Sequence, residues 1–298
     1  MRCLKKAQLH KVTKVVSLTA WVNGDFVPLQ EAVIHIEDRG FQFADGVYEV
    51  IACFGGKFLE LDAHLQRLQR SCDAIGLSLL KSGPELVELI HETYRRNPFD
   101  HAMIYIQATR GVAPRSHLVQ QAIEPTLVIT ARALPSPTAE RLITGASAIT
   151  LPDIRWKRCD IKSIALLASV IGKQEASREN VDETFWLDDE GHLLEGCATN
   201  CFAVIDGELV THPLDHQVLG GITRHLALKA AREHGIKVTE RPWKLDEAGL
   251  SECLMSSTTN AVVAVSHIDN ITIGDGTAGP VCNRLRKWML DEFEAMKQ

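Results

Sequence analysis

Apolar residues recur along the chain in two alternating patterns, one typical of strands and one typical of helices. Short apolar runs flank Asn23-Gly24, Gly55-Gly56 and Asp206-Gly207, pairs of residues that tolerate positive φ. Such flanked pairs predict β-hairpins in both halves of the chain. Further strand-like segments are predicted at 101–110, 124–134, 142–151, 183–188 and 200–212.

Helical spacing of apolar residues lies between these strands. We predict a first helix that Asp62 caps and that stops at Gly76. Other helices are predicted to open at Pro84, to span 163–179, to run from Thr223 to Gly235, and to start near Pro280. Strands and helices in this mixture favour an α+β fold, with mixed sheets and flanking helices.

The stretch "PSPTA" at 135–139 is the best candidate for a linker between two parts of the chain. We therefore expect two domains with different sizes. The predicted divisions are an N-terminal basic extension at 1–16, a small α/β domain at 17–136, a linker at 137–141 and a larger α/β domain at 142–298. A ligand site is expected at the interface of these domains.

Composition excludes some classes of protein. The 298 residues are 45% apolar and 23% charged, and the net charge of −6 argues against nucleic acid as the main partner. No apolar window is long enough for a membrane span, and the N-terminus lacks the features of a signal peptide. The eight cysteines include no Cys-x-x-Cys pair, so we expect no metal site, reduced thiols and a cytoplasmic protein.

A single lysine, Lys162, stands where the segment "WKRCDIKSIALLASV" at 156–170 turns apolar. In one interpretation its stem is buried and its ammonium reaches water or a carboxylate, which is the common arrangement. In the other, burial and the positive end of the predicted helix both disfavour the ammonium. A neutral lysine is a nucleophile that forms a Schiff base with an aldehyde.

An aldehyde cofactor such as pyridoxal phosphate needs further groups from the protein. Its phosphate needs donors, which "LGGITRH" at 219–225 offers at a predicted helix N-terminus and "SSTTN" at 256–260 offers in a turn. Its ring nitrogen needs an acid, which Glu195 offers from a predicted turn in "LLEGCATN". Each feature is common by itself, and their joint occurrence is more specific.

The chain resembles the fold-type IV pyridoxal-phosphate enzymes, and among them the D-amino acid (D-alanine) aminotransferases. The resemblance runs from about Trp21 to the last predicted helix. The motifs that carry it are "EDRGFQFADGVYEV", "HLQRL", "TRGVAPRSH", "RWKRCDIKSIALLASVIGKQEA", "EGCATNCF", "LGGITR" and "SSTTN", in this order. One departure is Cys197-Ala198, where many relatives are richer in serine.

The resemblance implies a role for each residue that matches these motifs. Lys162 would form the Schiff base and carry the proton, and Glu195 would pair with the ring nitrogen. The remaining contacts to the cofactor would come from Arg67, Leu219, Ile222, Thr223, Ser257 and Thr258.

The resemblance also implies a site for the substrate. Tyr48, Arg115 and His117 would bind the α-carboxylate, with Tyr105 nearby. Arg115 and His117 would come from the other subunit of a homodimer. In an extended segment these two residues lie on one face, and the arginine fork binds a carboxylate through two hydrogen bonds.

The implied activity is ping-pong transamination between a D-amino acid, of the D-alanine or D-glutamate type, and 2-oxoglutarate or pyruvate. Three alternatives share the fold: a branched-chain L-amino acid aminotransferase, an aminodeoxychorismate lyase and an (R)-amine transaminase. The Arg115-x-His117 pair argues against the first and the third, because it implies a different carboxylate site and a substrate that has a carboxylate. A cofactor-binding protein without catalytic activity is the alternative from another class.

Overall fold

The computed structural model describes residues 18–79, 81–119, 123–135 and 139–297. This part of the chain forms two sheets with helices packed against each. The predicted extension at 1–16 lies outside the described residues. No helix in the described ranges combines the length and apolar character that crossing a membrane requires.

The first sheet has six strands and is antiparallel throughout, in the order β2-β1-β6-β5-β3-β4. The hairpins predicted at Asn23-Gly24 and Gly55-Gly56 are confirmed, since these pairs join β1 to β2 and β3 to β4. The strands are β1 Thr19–Val22, β2 Asp25–Pro28, β3 Gly46–Phe54, β4 Lys57–Phe58, β5 His101–Thr109 and β6 Thr126–Ala133.

Three helices accompany this sheet: α1 Arg39–Phe43, α2 Leu61–Ala74 and α3 Gly83–Arg95. The predicted cap of α2 is wrong, because α2 begins at Leu61 and Asp62 therefore lies inside its first turn. Pro84 lies in the first turn of α3, as predicted. A buried apolar cluster that includes Leu68, Ile90 and Ile104 joins α2 and α3 to the sheet.

The second sheet has nine strands, in the order β12-β11-β10-β13-β14-β7-β8-β9, with β15 paired to β14. An additional pairing of β9 with β10, between Glu195 and Asn200, closes six of these strands into a ring. The third predicted hairpin, at Asp206-Gly207, is also confirmed. The strands are β7 Ala146–Pro152, β8 Glu183–Leu187, β9 Leu193–Gly196, β10 Asn200–Ile205, β11 Glu208–Thr211, β12 Val238–Glu240, β13 Leu250–Ser257, β14 Ala261–Ile268 and β15 Ile271–Thr272.

Four helices belong to this half: α4 Ala139–Thr144, α5 Leu167–Arg178, α6 Ile222–Glu233 and α7 Pro280–Lys297. Helices α6 and α7 pack on the sheet through a cluster that includes Phe202, Leu254 and Leu285. Helix α4 occupies 139–141 of the predicted linker. Because α4 continues to Thr144, β7 starts at Ala146 rather than at the predicted residue 142. Residues 136–138 lie outside the described ranges, so the two-domain division stays a prediction.

Main-chain hydrogen bonds join the two halves beside β3. The Tyr48 amide donates to the Lys162 carbonyl and the Ile164 amide donates to the Gly46 carbonyl, each at 3.0 Å. Val47 and Ser163 form an isolated bridge between these bonds. The predicted helix start at 163 is therefore wrong: this pairing holds the segment after Lys162 extended, and α5 begins only at Leu167.

Replacing Gly111 by alanine should destabilise the protein more than the same change at Gly24. Both glycines have positive φ, but a Cβ at Gly111 would lie 1.9 Å from the Glu124 carbonyl oxygen, whereas a Cβ at Gly24 meets nothing within 4 Å. We expect losses in the free energy of unfolding of about 3 kcal/mol for Gly111→Ala and about 1 kcal/mol for Gly24→Ala. Urea unfolding measures both, and equal losses would contradict the described close approach.

Candidate active site

A cavity of about 270 Å³ lies where the two halves meet. Its walls come from β3, α2, the segment before α5, the ends of β9 and β13, and the start of α6. Most of the residues predicted from sequence line it, namely Tyr48, Arg67, Lys162, Glu195, Leu219, Ile222, Thr223, Ser257 and Thr258. Residues far apart in the chain are thus brought around one space large enough for a small cofactor.

Lys162 lies in the cavity with its Nζ 4.3 Å from the centroid of the Tyr48 ring. Burial, followed by repulsion from the Arg67 guanidinium, lowers the pKa of Lys162 to about 8. Glu49 and Glu195 oppose this shift. Of the two expected causes, burial is confirmed, but the helix dipole is not the second one: α5 begins five residues later, and repulsion from Arg67 takes its place.

Glu195 lies on β9 rather than in the predicted turn, and both of its carboxylate oxygens accept hydrogen bonds. Oε1 accepts from Arg155 at 2.5 Å, and Oε2 accepts from Asn200 Nδ2 and from the Leu219 amide, each at 3.0 Å. Burial raises the pKa of Glu195 to about 7, and the nearby Arg155 charge acts in the opposite direction. Asp153 in turn accepts from Arg155 Nε at 2.9 Å.

The N-terminus of α6 and the side chain of Arg67 face the same part of the cavity. Gly221 occupies the N-cap position, where no side chain accepts a bond from the helix amides. Arg67 Nη1 donates to the Gly220 carbonyl at 2.9 Å, which fixes the guanidinium beside this helix end. A helix N-terminus next to a guanidinium favours an anion, because the amide groups and the dipole both point positive charge at it.

Tyr48 and Tyr105 are neighbours on β3 and β5, with ring centroids 5.7 Å apart. Tyr48 lines the cavity, whereas Tyr105 lies beside it on the same face of the sheet, outside the cavity lining, and donates its hydroxyl to Gln107 Oε1 at 2.6 Å. Burial raises the pKa of Tyr105 to about 12. Both hydroxyls are therefore neutral donors at pH 7, since burial raises the pKa of Tyr48 as well.

Arg115 and His117 do not line the cavity of their own chain. Both are exposed in the segment that follows β5, and both pack on Phe43, with the Arg115 guanidinium carbon 5.0 Å and the His117 ring 5.3 Å from its centroid. Arg39 holds this segment by donating to the Ser116 carbonyl at 2.5 Å. Neither side chain contributes to the wall of this cavity, and Arg39 bonds to the main chain between and at these residues.

The turn after Glu195 contributes Cys197, Ala198 and Thr199 to the cavity wall. Burial raises the pKa of Cys197 to about 12, so a neutral thiol faces the cavity at this position. Within the described ranges, no group of three or more His, Cys, Asp or Glu side chains is arranged to hold a metal ion.

Sequence reasoning gave no role to Arg155, Asn200, Glu49 or His64, although the first two hold Glu195 and the last two lie behind Arg67. Arg155 and Asn200 stand inside quoted motifs, but Arg155 is 40 residues from Glu195 in the chain. A weak signal for the other two did exist. Glu49 follows Tyr48 on a strand, and His64 precedes Arg67 by one helical turn, which places each beside a predicted site residue.

Comparison with known families and proteins gives consistent matches. Residues 46–268 match the family model described as amino-transferase class IV. The chain is 38% identical over 275 residues to a D-alanine aminotransferase of Listeria monocytogenes, a match that covers 91% of this chain and 95% of the relative. It is 37% identical over 269 residues to a D-alanine aminotransferase of Staphylococcus aureus, covering 90% and 95%.

Solved structures with the same fold include branched-chain aminotransferases. The Escherichia coli enzyme superposes with a TM-score of 0.86 at 26% identity, covering 92% of this chain and 94% of that one. The T.th. enzyme, solved with pyridoxamine 5'-phosphate, superposes with a TM-score of 0.85 at 29% identity, covering 92% and 93%. The predicted fold class is thereby confirmed.

Lys162 should react with an aromatic aldehyde faster as the pH rises, with a plateau above pH about 8. The neutral amine is the nucleophile, and the pKa of Lys162 is lowered to about 8. Borohydride trapping at a series of pH values, followed by mass spectrometry of the Lys162 peptide, gives the rate. The exposed Lys157 is followed in the same digest as a reference. A Lys162 rate that still climbs at pH 10 would contradict the described environment.

Proposed function

The chain belongs to the class IV aminotransferases, and on that premise we propose that it moves amino groups from D-amino acids to 2-oxo acids with pyridoxal phosphate. The observation that carries the proposal is the position of Lys162. It lies in one cavity between a buried carboxylate, Glu195, and an anion site made by Arg67 and the start of α6. Together they supply an amine for the cofactor aldehyde, an acid for its ring nitrogen and donors for its phosphate.

The described side chains fit pyridoxal phosphate. Gly221 leaves room for the Asn200 side chain that holds Glu195, because a Cβ at Gly221 would lie 2.0 Å from Asn200 Oδ1. The amides of Ile222 and Thr223, the hydroxyls of Thr223, Ser257 and Thr258, and the Arg67 guanidinium are the donors that we assign to the phosphate. Leu219 is assigned to the ring face. When bound, the cofactor supplies an aldehyde for the amino group and a ring that withdraws electrons.

Lys162 is the residue that we assign to proton transfer. Its pKa, lowered to about 8, leaves an appreciable neutral fraction at pH 7, so Nζ would accept the proton of the substrate Cα and would donate it to the cofactor carbon that receives the amino group. Glu195 is assigned to hold a proton on the ring nitrogen, with Arg155 and Asn200 fixing its two oxygens. Ping-pong exchange then follows, because donor and acceptor use the same site in turn.

Preference for D-amino acids is supported by the curated relatives, which are named D-alanine aminotransferases at 37–38% identity. We assign the α-carboxylate to Tyr48 with Arg115 and His117, and Tyr105 lies beside Tyr48. A guanidinium and an imidazole two residues apart suit a carboxylate. D-Alanine and D-glutamate are the expected donors, with 2-oxoglutarate or pyruvate as acceptor.

A homodimer is the assembly that we propose, because Arg115 and His117 are exposed and do not line the cavity of their own chain. Large apolar side chains are exposed around the same segment and around the start of α5, which suits a buried interface. They are Val33, Ile36, Phe41, Val112, Leu118, Trp156, Leu167 and Val170. We further propose the cytoplasm as the compartment, since all seven described cysteines are free.

Branched-chain L-amino acid transamination is the second candidate, favoured by the two branched-chain aminotransferase structures at 26% and 29% identity. The curated sequence relatives have the higher identity, and Arg115 with His117 supplies a guanidinium–imidazole pair for the carboxylate. Both points favour the D-specific function over this alternative.

Adding D-alanine to the purified holoenzyme should remove the visible absorption band of the cofactor, and 2-oxoglutarate should restore it. L-Valine should leave the band unchanged. In Lys162→Ala neither substrate should produce turnover, because the amine that moves the α-proton is missing. Absorption spectra before and after each addition make the measurement. A response to L-valine alone would move the protein to the branched-chain group, and wild-type turnover by Lys162→Ala would remove this lysine from the proposal.

Mixing two inactive variants should restore activity if Arg115 acts on the other subunit. A dimer of one Lys162→Ala chain and one Arg115→Ala chain then contains one complete site, with Lys162 from one chain and Arg115 from the other. After unfolding and refolding an equimolar mixture, we expect roughly a quarter of wild-type activity, since half of the dimers are mixed and each has one site of two. No recovery would place Arg115 in the site of its own chain.

A further inference from the structure

Three buried side chains form a cluster behind the cavity: Glu49 on β3, and His64 and Arg67 one turn apart on α2. Their relative exposures are 0%, 1% and 5%. Glu49 Oε1 accepts from Arg67 Nε at 2.6 Å, and Oε2 accepts from Arg67 Nη2 at 2.8 Å. His64 Nδ1 lies 2.7 Å from the same Oε2. The carboxylate thus bridges the two α2 side chains.

Strand geometry places this cluster outside the cavity. Successive side chains on a strand point to opposite faces, so Tyr48 and Val50 line the cavity while Glu49 points back toward α2. Of the three residues of the cluster, Arg67 is the one that lines the cavity. Glu49 and His64 can therefore influence a ligand there only through Arg67 or through their charge.

The hydrogen bonds of Arg67 determine which of its donors remain for a ligand. A guanidinium has five N–H groups in a fixed plane. Glu49 takes one on Nε and one on Nη2, and the Gly220 carbonyl takes one on Nη1. One N–H on each Nη remains, and the plane cannot rotate without breaking bonds on two sides. The guanidinium is thus held in one orientation beside the start of α6.

The charges of the cluster also support a fixed orientation of Arg67. Hydrogen bonds from Arg67 and His64 outweigh burial and hold the pKa of Glu49 at about 2. Burial lowers the pKa of His64, so at pH 7 the imidazole is neutral and Nδ1–H donates to the carboxylate. Glu49 and Arg67 therefore form a balanced pair. Buried pairs of this kind add little net stability, because desolvation offsets their attraction.

We propose that Glu49 and His64 are positioning residues for Arg67, which they orient so that its two free N–H groups bind the cofactor phosphate together with the start of α6. The proposal rests on the proposed function, because it assigns the anion at this site to the phosphate of pyridoxal phosphate. It predicts that Glu49 and His64 determine how much the phosphate adds to cofactor affinity, without touching the cofactor.

The test compares binding of pyridoxal phosphate with binding of pyridoxal, which lacks the phosphate, to the apoprotein by equilibrium dialysis. In Glu49→Gln we expect the Kd of pyridoxal phosphate to rise about tenfold, the scale of one lost hydrogen bond to a charged group. The Kd of pyridoxal should change less than twofold beyond any common shift. We use the ratio of the Kd of pyridoxal phosphate to the Kd of pyridoxal. Effects through Lys162 cancel in this ratio, because both ligands react with that lysine.

Matched variants separate positioning from general destabilisation. Glu252 is another buried glutamate, whose carboxylate accepts from the Val281 and Cys282 amides away from the cavity. Glu252→Gln should lower the unfolding temperature and leave the ratio at its wild-type value. His64→Asn retains a donor near the Nδ1 position and should bind as wild type does, whereas His64→Leu should resemble Glu49→Gln.

A double variant keeps the test decisive if single charge removal harms folding. Glu49→Gln with Arg67→Met removes both charges of the pair together, which avoids an unpaired buried charge. Its ratio should equal that of Arg67→Met alone, because Glu49 acts through Arg67. If the Kd of pyridoxal phosphate relative to that of pyridoxal rises further in the double variant than in Arg67→Met, or is unchanged in Glu49→Gln, the positioning role is overturned. Wild-type protein that binds both ligands equally overturns the proposed cofactor site and this proposal with it.

Discussion

Removing the ammonium of Lys162 from water is the constraint on which the arrangement of the cavity depends. An uncompensated buried charge is costly, and the pKa of Lys162 falls to about 8 in response. Two charge pairs flank it, Arg67 with Glu49 and Arg155 with Glu195. Arg155 also pairs with Asp153, so Lys162 gains or loses its proton beside two guanidinium groups that carboxylates already hold in place. That is a suitable environment for a base that must also act as an acid.

The position of Lys162 follows from backbone pairing rather than from a helix. The segment 162–164 is bonded to the start of β3, which places Lys162 beside Tyr48. Side chains on β3 alternate between the two faces of the sheet, so Tyr48 points toward the cavity and Glu49 toward α2. A shift of register by one residue would exchange these faces, so the pairing with 162–164 and with β5 fixes the chemistry as well as the fold.

Local signals in the sequence predicted what depends on local geometry. Asn23-Gly24 and Asp206-Gly207 specify hairpins because their conformational freedom acts within four residues. Lys162 and Glu195 were found through motifs, but Arg155 was not, because its partner is 40 residues away. The helix predicted from 163 fails for the same reason: a tertiary pairing with β3 outweighs the helical pattern. Strand β9, of four residues, is too short to produce a period.

The ring of six strands closes through a single paired position, Glu195 opposite Asn200, and that pair also carries the carboxylate of the cavity. The other seams of the ring contain two or more paired positions, so this seam has the fewest, although the turn 197–199 also joins its two strands. A ligand that engages Glu195 adds a bond at the seam itself. By linkage, the free energy that such a ligand gains on binding also resists opening of the ring. Ligand binding at the site and closure of the strand ring are thus thermodynamically linked.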